Sequence, residues 1–312
     1  MNNKKQFNVD TLETYTKNTL IDLSLFKRDK DFHKFLKAND VIYNLYDYNC
    51  LKLFINPKQI LHKDILFDTD YYLFEKVLND KLLFNLVIDD LILNRIDFCR
   101  NFEVIEPFRT ILFESILPKT SGARYKKCGK YKRTMYFNQK QLTNIIYDKG
   151  LEQEERFQIE EYKDTIRLET RLNRFYLQKH KEEYPRTINA YWDSIFADYI
   201  IYKRYKDILY IGDYYTAYDV RKILKNAEFK QGMIDKIINF QNCISKYGID
   251  ETKRRYGNKF YSYKNRLEQL EINPILLPKN NIWNVKSMPG FLTSKGFRQE
   301  LLSNKNILKQ II

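Results

Sequence analysis

The chain is poor in the residues that most metal- and thiol-dependent chemistry requires. Among 312 residues there are three histidines, four cysteines and nine glycines. His33, His62 and His180 are scattered, with no HxH, HxxxH or HExxH spacing, which excludes a histidine-built metal centre and a serine–histidine triad. Cys50, Cys99, Cys128 and Cys243 form no CxxC pair. A zinc ribbon and a redox dithiol are therefore excluded, and reduced thiols of a cytoplasmic protein are expected. Neither phosphate-binding glycine motif, G-x-G-x-x-G or G-x-x-x-x-G-K, occurs. No apolar run reaches the length of a membrane helix, and the opening MNNKKQFNVD lacks the apolar stretch of a signal peptide, so a soluble protein with no membrane partner is expected.

What is abundant is positive charge and aromatic rings. Lys and Arg number 54 against 40 Asp and Glu, a formal charge of +14, with 25 Tyr and 21 Phe. Cations neutralise phosphates and ring faces stack on exposed bases, so this pairing suits nucleic acid. A coding sequence rich in A and T produces the same abundance of Lys, Asn, Ile, Tyr and Phe, so the position of the charge says more than its sum. Between Pro118 and Gly150 stand nine basic residues and one acid. The dense part, SGARYKKCGKYKR, carries Arg124, Lys126, Lys127, Lys130, Lys132 and Arg133 and reads as a flexible basic loop. A second block, KRRYGNKFYSYKNR from Lys253 to Arg266, has six basic and no acidic residues, with Lys253, Arg254 and Arg255 at its head. A solvated face would look the same in either block; two of them favour phosphate contacts.

Periodicity divides the chain into three. Residues 1–40 show no clear period and are expected to form an N-terminal arm or short helices. Residues 41–185 read as an α+β core on a mostly antiparallel sheet. Within it VIYNLYDYNCLKLFIN predicts a hairpin ending at Pro57, YYLFEKVLNDKLL a helix, and LILNRIDFCRNFEV a strand. A helix from Pro107 to about Leu117 follows, then strands at 134–138, 142–149 and 165–172, with an acidic helix before the last. Residues 186–312 form a helical C-terminal region, a second candidate for DNA binding.

Three of the predicted strands concentrate ionisable groups on one face. Alternation puts Arg95 and Asp97 opposite Ile96 and Phe98, and Arg167, Glu169 and Arg171 opposite Leu168 and Leu172. Tyr147 and Lys149 share a face in the same way. If these strands are neighbours, Asp97, Glu169, Tyr147 and Lys149 converge. Two carboxylates suit Mg²⁺ or Mn²⁺, a phenol can attack phosphorus, and a lysine beside it can stabilise charge. Ordinary cross-strand ion pairs on a solvated sheet face would give the same pattern.

LNRIDFCRNF (93–102), NIIYDKGLE (144–152) and IRLETRLNRFYL (166–177), in this order, resemble the filamentous-phage gene II family of replication initiators, which grades into the plasmid rolling-circle initiators of the Rep_trans type. A weaker likeness continues at WDSIF (192–196). The resemblance implies a Rep-like, HUH-like core and a metal-dependent endonuclease that nicks and rejoins one strand of phage or plasmid origin DNA through a 5′-phosphotyrosine. It implies host helicase and polymerase as further partners. Carried over by position, Tyr147 matches the nucleophile, Lys149 a basic residue beside the tyrosine, and Asp97 and Glu169 the acids expected to serve Mg²⁺ or Mn²⁺. Tyr176 is the alternative nucleophile, with Tyr136 after it should Tyr147 be buried. The chain departs from the wider HUH class in lacking paired histidines, and from some plasmid relatives in having Asn101 where they have a second acid. The rival expectations are a non-catalytic origin-binding protein on the same scaffold and a conjugation relaxase.

Overall fold

A computed structural model describes residues 6–7, 9–16, 30–39, 41–46, 50–63, 66–81, 88–120, 133–138, 141–157, 162–279 and 285–292. Its strands are β1 (Gln6–Phe7), β2 (Val9–Thr16), β3 (Ile42–Tyr46), β4 (Cys50–Ile55), β5 (Leu66–Phe67), β6 (Ile92–Glu103), β7 (Thr134–Asn138), β8 (Leu142–Asp148), β9 (Thr165–Leu172), β10 (Tyr214–Tyr215) and β11 (Ser287–Met288). Seven of them make one sheet in the order β3-β4-β2-β6-β9-β8-β7, and β1 pairs with β5 and β10 with β11. The pairs β3–β4, β4–β2 and β2–β6 are antiparallel. Backbone bonds from Val104 to the Asp164 carbonyl and from Asn173 to the Gln141 carbonyl join the end of one strand to the start of the next, as antiparallel neighbours do. The fold is thus α+β on a mostly antiparallel sheet. No helix among the described residues is long and apolar enough to cross a membrane.

The chain divides into two compact units, and β6, β8 and β9 each contribute to both. The first comprises Met1–Arg100, Asn138–Thr143 and Glu169–Ile201. Its core is built from residues that alternate along the strands: Leu51, Leu53 and Ile55 on β4, and Ile96 and Phe98 on β6, all buried. Phe98 meets Phe196 edge to face at 5.9 Å, and Phe74 stacks on Trp192 at 5.0 Å. The Trp192 indole donates to the Phe67 carbonyl at 3.2 Å, and Asp68 accepts from the amide and hydroxyl of Ser194, both at 2.8 Å. Each fully buried large apolar side chain of this kind stabilises the unit by roughly 1.5–3 kcal/mol.

Of the arm or short helices expected over residues 1–40, a short helix is found at Lys30–Ala38, whereas residues 9–16 depart from the expectation. They form β2, paired on one side with β4 and on the other with β6. A register shift between Val9 and Thr11 leaves Asp10 as an extra residue and breaks the two-residue alternation, which is why no clear period shows in the sequence.

The second unit comprises Asn101–Phe137, Asn144–Leu168 and Tyr202–Ile312. The expected helix after Pro107 is shorter than predicted. An α-helical Phe108–Ile111 passes into a π turn, Leu112–Ile116, and a 3-10 turn, Leu117–Lys119. Pro118 has no N–H to continue an α-helical ladder there. The helical C-terminal character is found in Ala217–Asn226, Gln231–Tyr256 and Asn258–Gln269. Gly248, at φ 78°, breaks the second of these into two helical halves. Phe240 packs edge to face on Tyr256 and Phe260, each at 5.3 Å. The buried Asn273 carboxamide ties the 273–278 connector down by donating to the Leu209 carbonyl at 2.7 Å.

Candidate functional site

In the first unit, the polar faces of β6 and β9 bring four charged side chains together. Asp97 is 1% exposed. Arg95 donates to both of its oxygens, at 2.7 Å through Nε and through a shorter bond from Nη2. Arg171 Nε lies 3.2 and 3.1 Å from the same oxygens, and its Nη2 donates to Glu169 Oε1 at 3.1 Å. Glu13 stands opposite Arg95 in register and is held by Lys52 at 2.7 Å. Across β4, β2, β6 and β9 the charges thus alternate: Lys52, Glu13, Arg95, Asp97, Arg171, Glu169. Burial alone would lower the Arg95 pKa; its hydrogen bond to Asp97, with the charges of Asp97, Glu169 and Glu13, holds it above the ordinary value.

A divalent ion does not fit this donor set as it stands. Both oxygens of Asp97 and one of Glu169 already accept charge-assisted bonds from guanidinium groups. Among the described residues no group of three or more His, Cys, Asp and Glu could hold a metal. Asn101, at the position of a possible further acid, accepts from Arg167 Nε at 2.8 Å instead.

In the second unit, Tyr147 is 9% exposed near the end of β8. Its hydroxyl lies 3.4 Å from Nη1 of the buried Arg167, a cation able to stabilise negative charge that develops on the phenolic oxygen. Lys149 departs from the expectation that it ends the strand. β8 stops at Asp148, and Lys149 is the first residue of the helix Lys149–Phe157. Asp148 begins that helix by accepting from the Leu151 amide at 3.0 Å. Gly150 lets it start there, since a Cβ would lie 2.5 Å from the Lys163 carbonyl oxygen. Lys149 Nζ remains 5.9 Å from the Tyr147 ring centroid and pairs with Glu152 at 2.7 Å.

Tyr176 does not sit on a strand. It lies on Arg174–Lys179, a helix capped by Asn173, where it is buried with its ring 4.5 Å from that of His180. Tyr136 is half-buried on β7. Among the basic positions, Arg124, Lys126, Lys127, Lys130 and Lys132 lie outside the described residues. Arg133 is tied into the fold, donating to Glu106 at 2.6 Å, Thr110 at 2.7 Å and Asp148 at 3.3 Å. Lys253, Arg254 and Arg255 belong to the second half of the kinked helix. Lys253 lies 5.5 Å from the Phe260 ring, Arg254 is 78% exposed and pairs with Glu251, and Arg255 stacks 3.8 Å over Tyr247.

Two participants escape a reading of the sequence. Arg109 is buried yet bonds the Lys163 carbonyl and lies 3.4 Å from Asp148, joining the helix start beyond Tyr147 to the turn before β9. No motif marks it. Tyr247 sits outside the basic block, and only its place between Lys246 and the helix-breaking Gly248 hints at an exposed ring.

No family model matches the chain, and no curated protein does. Among solved structures, one that is similar is a rolling circle replication initiator protein from Geobacillus stearothermophilus, at a TM-score of 0.32 and 12% identity over 65% of this chain and 84% of that one. A likeness of that degree carries no argument about activity.

Proposed function

We propose that this chain is a rolling-circle replication initiator that nicks and rejoins one strand of origin DNA, with Tyr147 as nucleophile. The observation that carries the reading is the strand order. The three segments that resemble the gene II and Rep_trans motifs are β6, β9 and β8, consecutive in the sheet. In this reading the Tyr147 oxygen attacks the scissile phosphorus and the 3′ oxygen leaves as a hydroxyl. The 5′-phosphotyrosine formed keeps the energy of the broken bond, so a free 3′ hydroxyl can later reverse the step. Arg167 and Lys149 stabilise charge at the phenol and the phosphate. Mg²⁺ or Mn²⁺ enters only through the resemblance, since Asp97 and Glu169 are engaged by arginine. The Rep-like, HUH-like character of the core, a phage or plasmid origin, and host helicase and polymerase as partners belong to the same proposal. So do the cytoplasmic location and phosphate contacts by Arg124, Lys126, Lys127, Lys130, Lys132, Arg133, Lys253, Arg254 and Arg255.

The experiment is a denaturing gel of the chain incubated with single-stranded origin fragments, run with EDTA, Mg²⁺ or Mn²⁺. A covalent protein–DNA band that disappears in Tyr147→Phe is expected, with DNA binding retained. A band that persists in Tyr147→Phe and disappears in Tyr176→Phe moves the nucleophile. The rival, a non-catalytic origin-binding protein, is favoured by one observation, the burial of Tyr147. It predicts tight binding and no band with any fragment or ion.

A further inference from the structure

We infer that Asp97 and Glu169 hold arginines in this chain, and that Arg95 and Arg171 offer their remaining N–H groups to a phosphodiester of single-stranded DNA. The inference rests on the proposed DNA substrate and assigns the carboxylates a role other than metal ligation. Asp97 is 1% exposed, whereas the side chains of Arg95 and Arg171 are 23% and 31% exposed. The carboxylate is therefore the buried anchor of the row, and the arginine side chains are the members that reach the surface in part. Each arginine spends Nε and Nη2 on the carboxylates, and among the described residues Nη1 of each has no protein partner.

A guanidinium held on two of its nitrogens has already lost most of its rotamer freedom. Binding a phosphate with the third then costs little further ordering, and the planar fork suits a phosphate oxygen. Phosphate binding also needs no rupture of the row. A divalent ion at Asp97 would have to displace a guanidinium from a buried carboxylate, losing a paired geometry that is costly to break. Asp97 and Glu169 are positioning residues in this account, and the arginines are the groups that touch DNA.

The test is binding of a fluorescent single-stranded 12-mer, without cleavage, as salt is varied in EDTA and in Mn²⁺. Wild-type affinity is expected to agree within about twofold between EDTA and Mn²⁺. Arg95→Gln and Arg171→Gln are each expected to weaken binding severalfold and to reduce the slope of log affinity against log salt by about 0.7, one phosphate contact on a single strand. Arg171→Lys, which keeps the charge, is expected to keep the slope. A purely structural ion row would lower the melting temperature of the Gln variants and leave their slopes unchanged, overturning the inference. So would a tenfold gain in wild-type affinity in Mn²⁺ that Asp97→Asn abolishes, or no binding in EDTA at all. If the Gln variants fail to fold, the wild-type comparison of EDTA with Mn²⁺ decides alone. Because no strand is cut, this result and the Tyr147→Phe adduct result can fail separately.

Discussion

The charged row of the first unit and the tyrosine of the second both bury polar groups, but they satisfy them differently. In the row, each carboxylate is paired with a cation and Asp97 lies between two, so charge answers charge from Lys52 to Glu169. Around Tyr147, the buried Arg167 donates to oxygens of neutral groups, the Asn101 carboxamide and the phenol. A balanced row is stiff, because removing any member strands its partner. The difference is between carboxylates held by guanidinium groups and a phenol held by one.

The contrast can be broken most sharply at Asp97. Asp97→Ala removes the anion shared by two arginines and is expected to destabilise the protein by about 3–5 kcal/mol, the range for breaking a buried pair from one side, measured by urea denaturation. Loss below 1 kcal/mol would mean that the row is loosely held. Tyr147→Phe removes one hydroxyl from Arg167 and is expected to cost only about 0.5–1.5 kcal/mol in the same assay while abolishing the covalent adduct. A cost as large as that of Asp97→Ala would place the two regions in one class.

The smallest effect is read in acid. The Glu106 carboxylate is partly buried, which alone would raise its pKa, but bonds from Arg133 and Thr110 hold it below the ordinary value. Its contribution is therefore full above the unfolded pKa of about 4.3 and is lost as pH falls through the lower folded value. Glu106→Gln is expected to melt below wild type at pH 6 and to converge with it toward pH 3. A constant gap across that range would show that the charge is not what matters.

Much of this was legible in the residues. The hairpin β3–β4, the polar faces of β6 and β9, and the helices after Ala217 follow from alternation and helical spacing, which are properties of the chain itself. Arg95, Asp97, Glu169 and Tyr147 could be picked out because ionisable groups in apolar strands are conspicuous. β2 could not, because the extra residue at Asp10 breaks its period. Alternation carries the strand one residue too far, to Lys149, since the end of β8 depends on Asp148 capping a helix and on Gly150 fitting under the Lys163 carbonyl.

By itself, then, the sequence determined the charge, the strand faces and the order of the three segments, all of which are local. Only the tertiary structure decided what each side chain meets. The same Asp97 could have faced an ion, a solvent or an arginine. Pairing β6 with β9 brought Arg171 to it, and the low dielectric of a buried site made that pairing strong enough to hold both arginines in place.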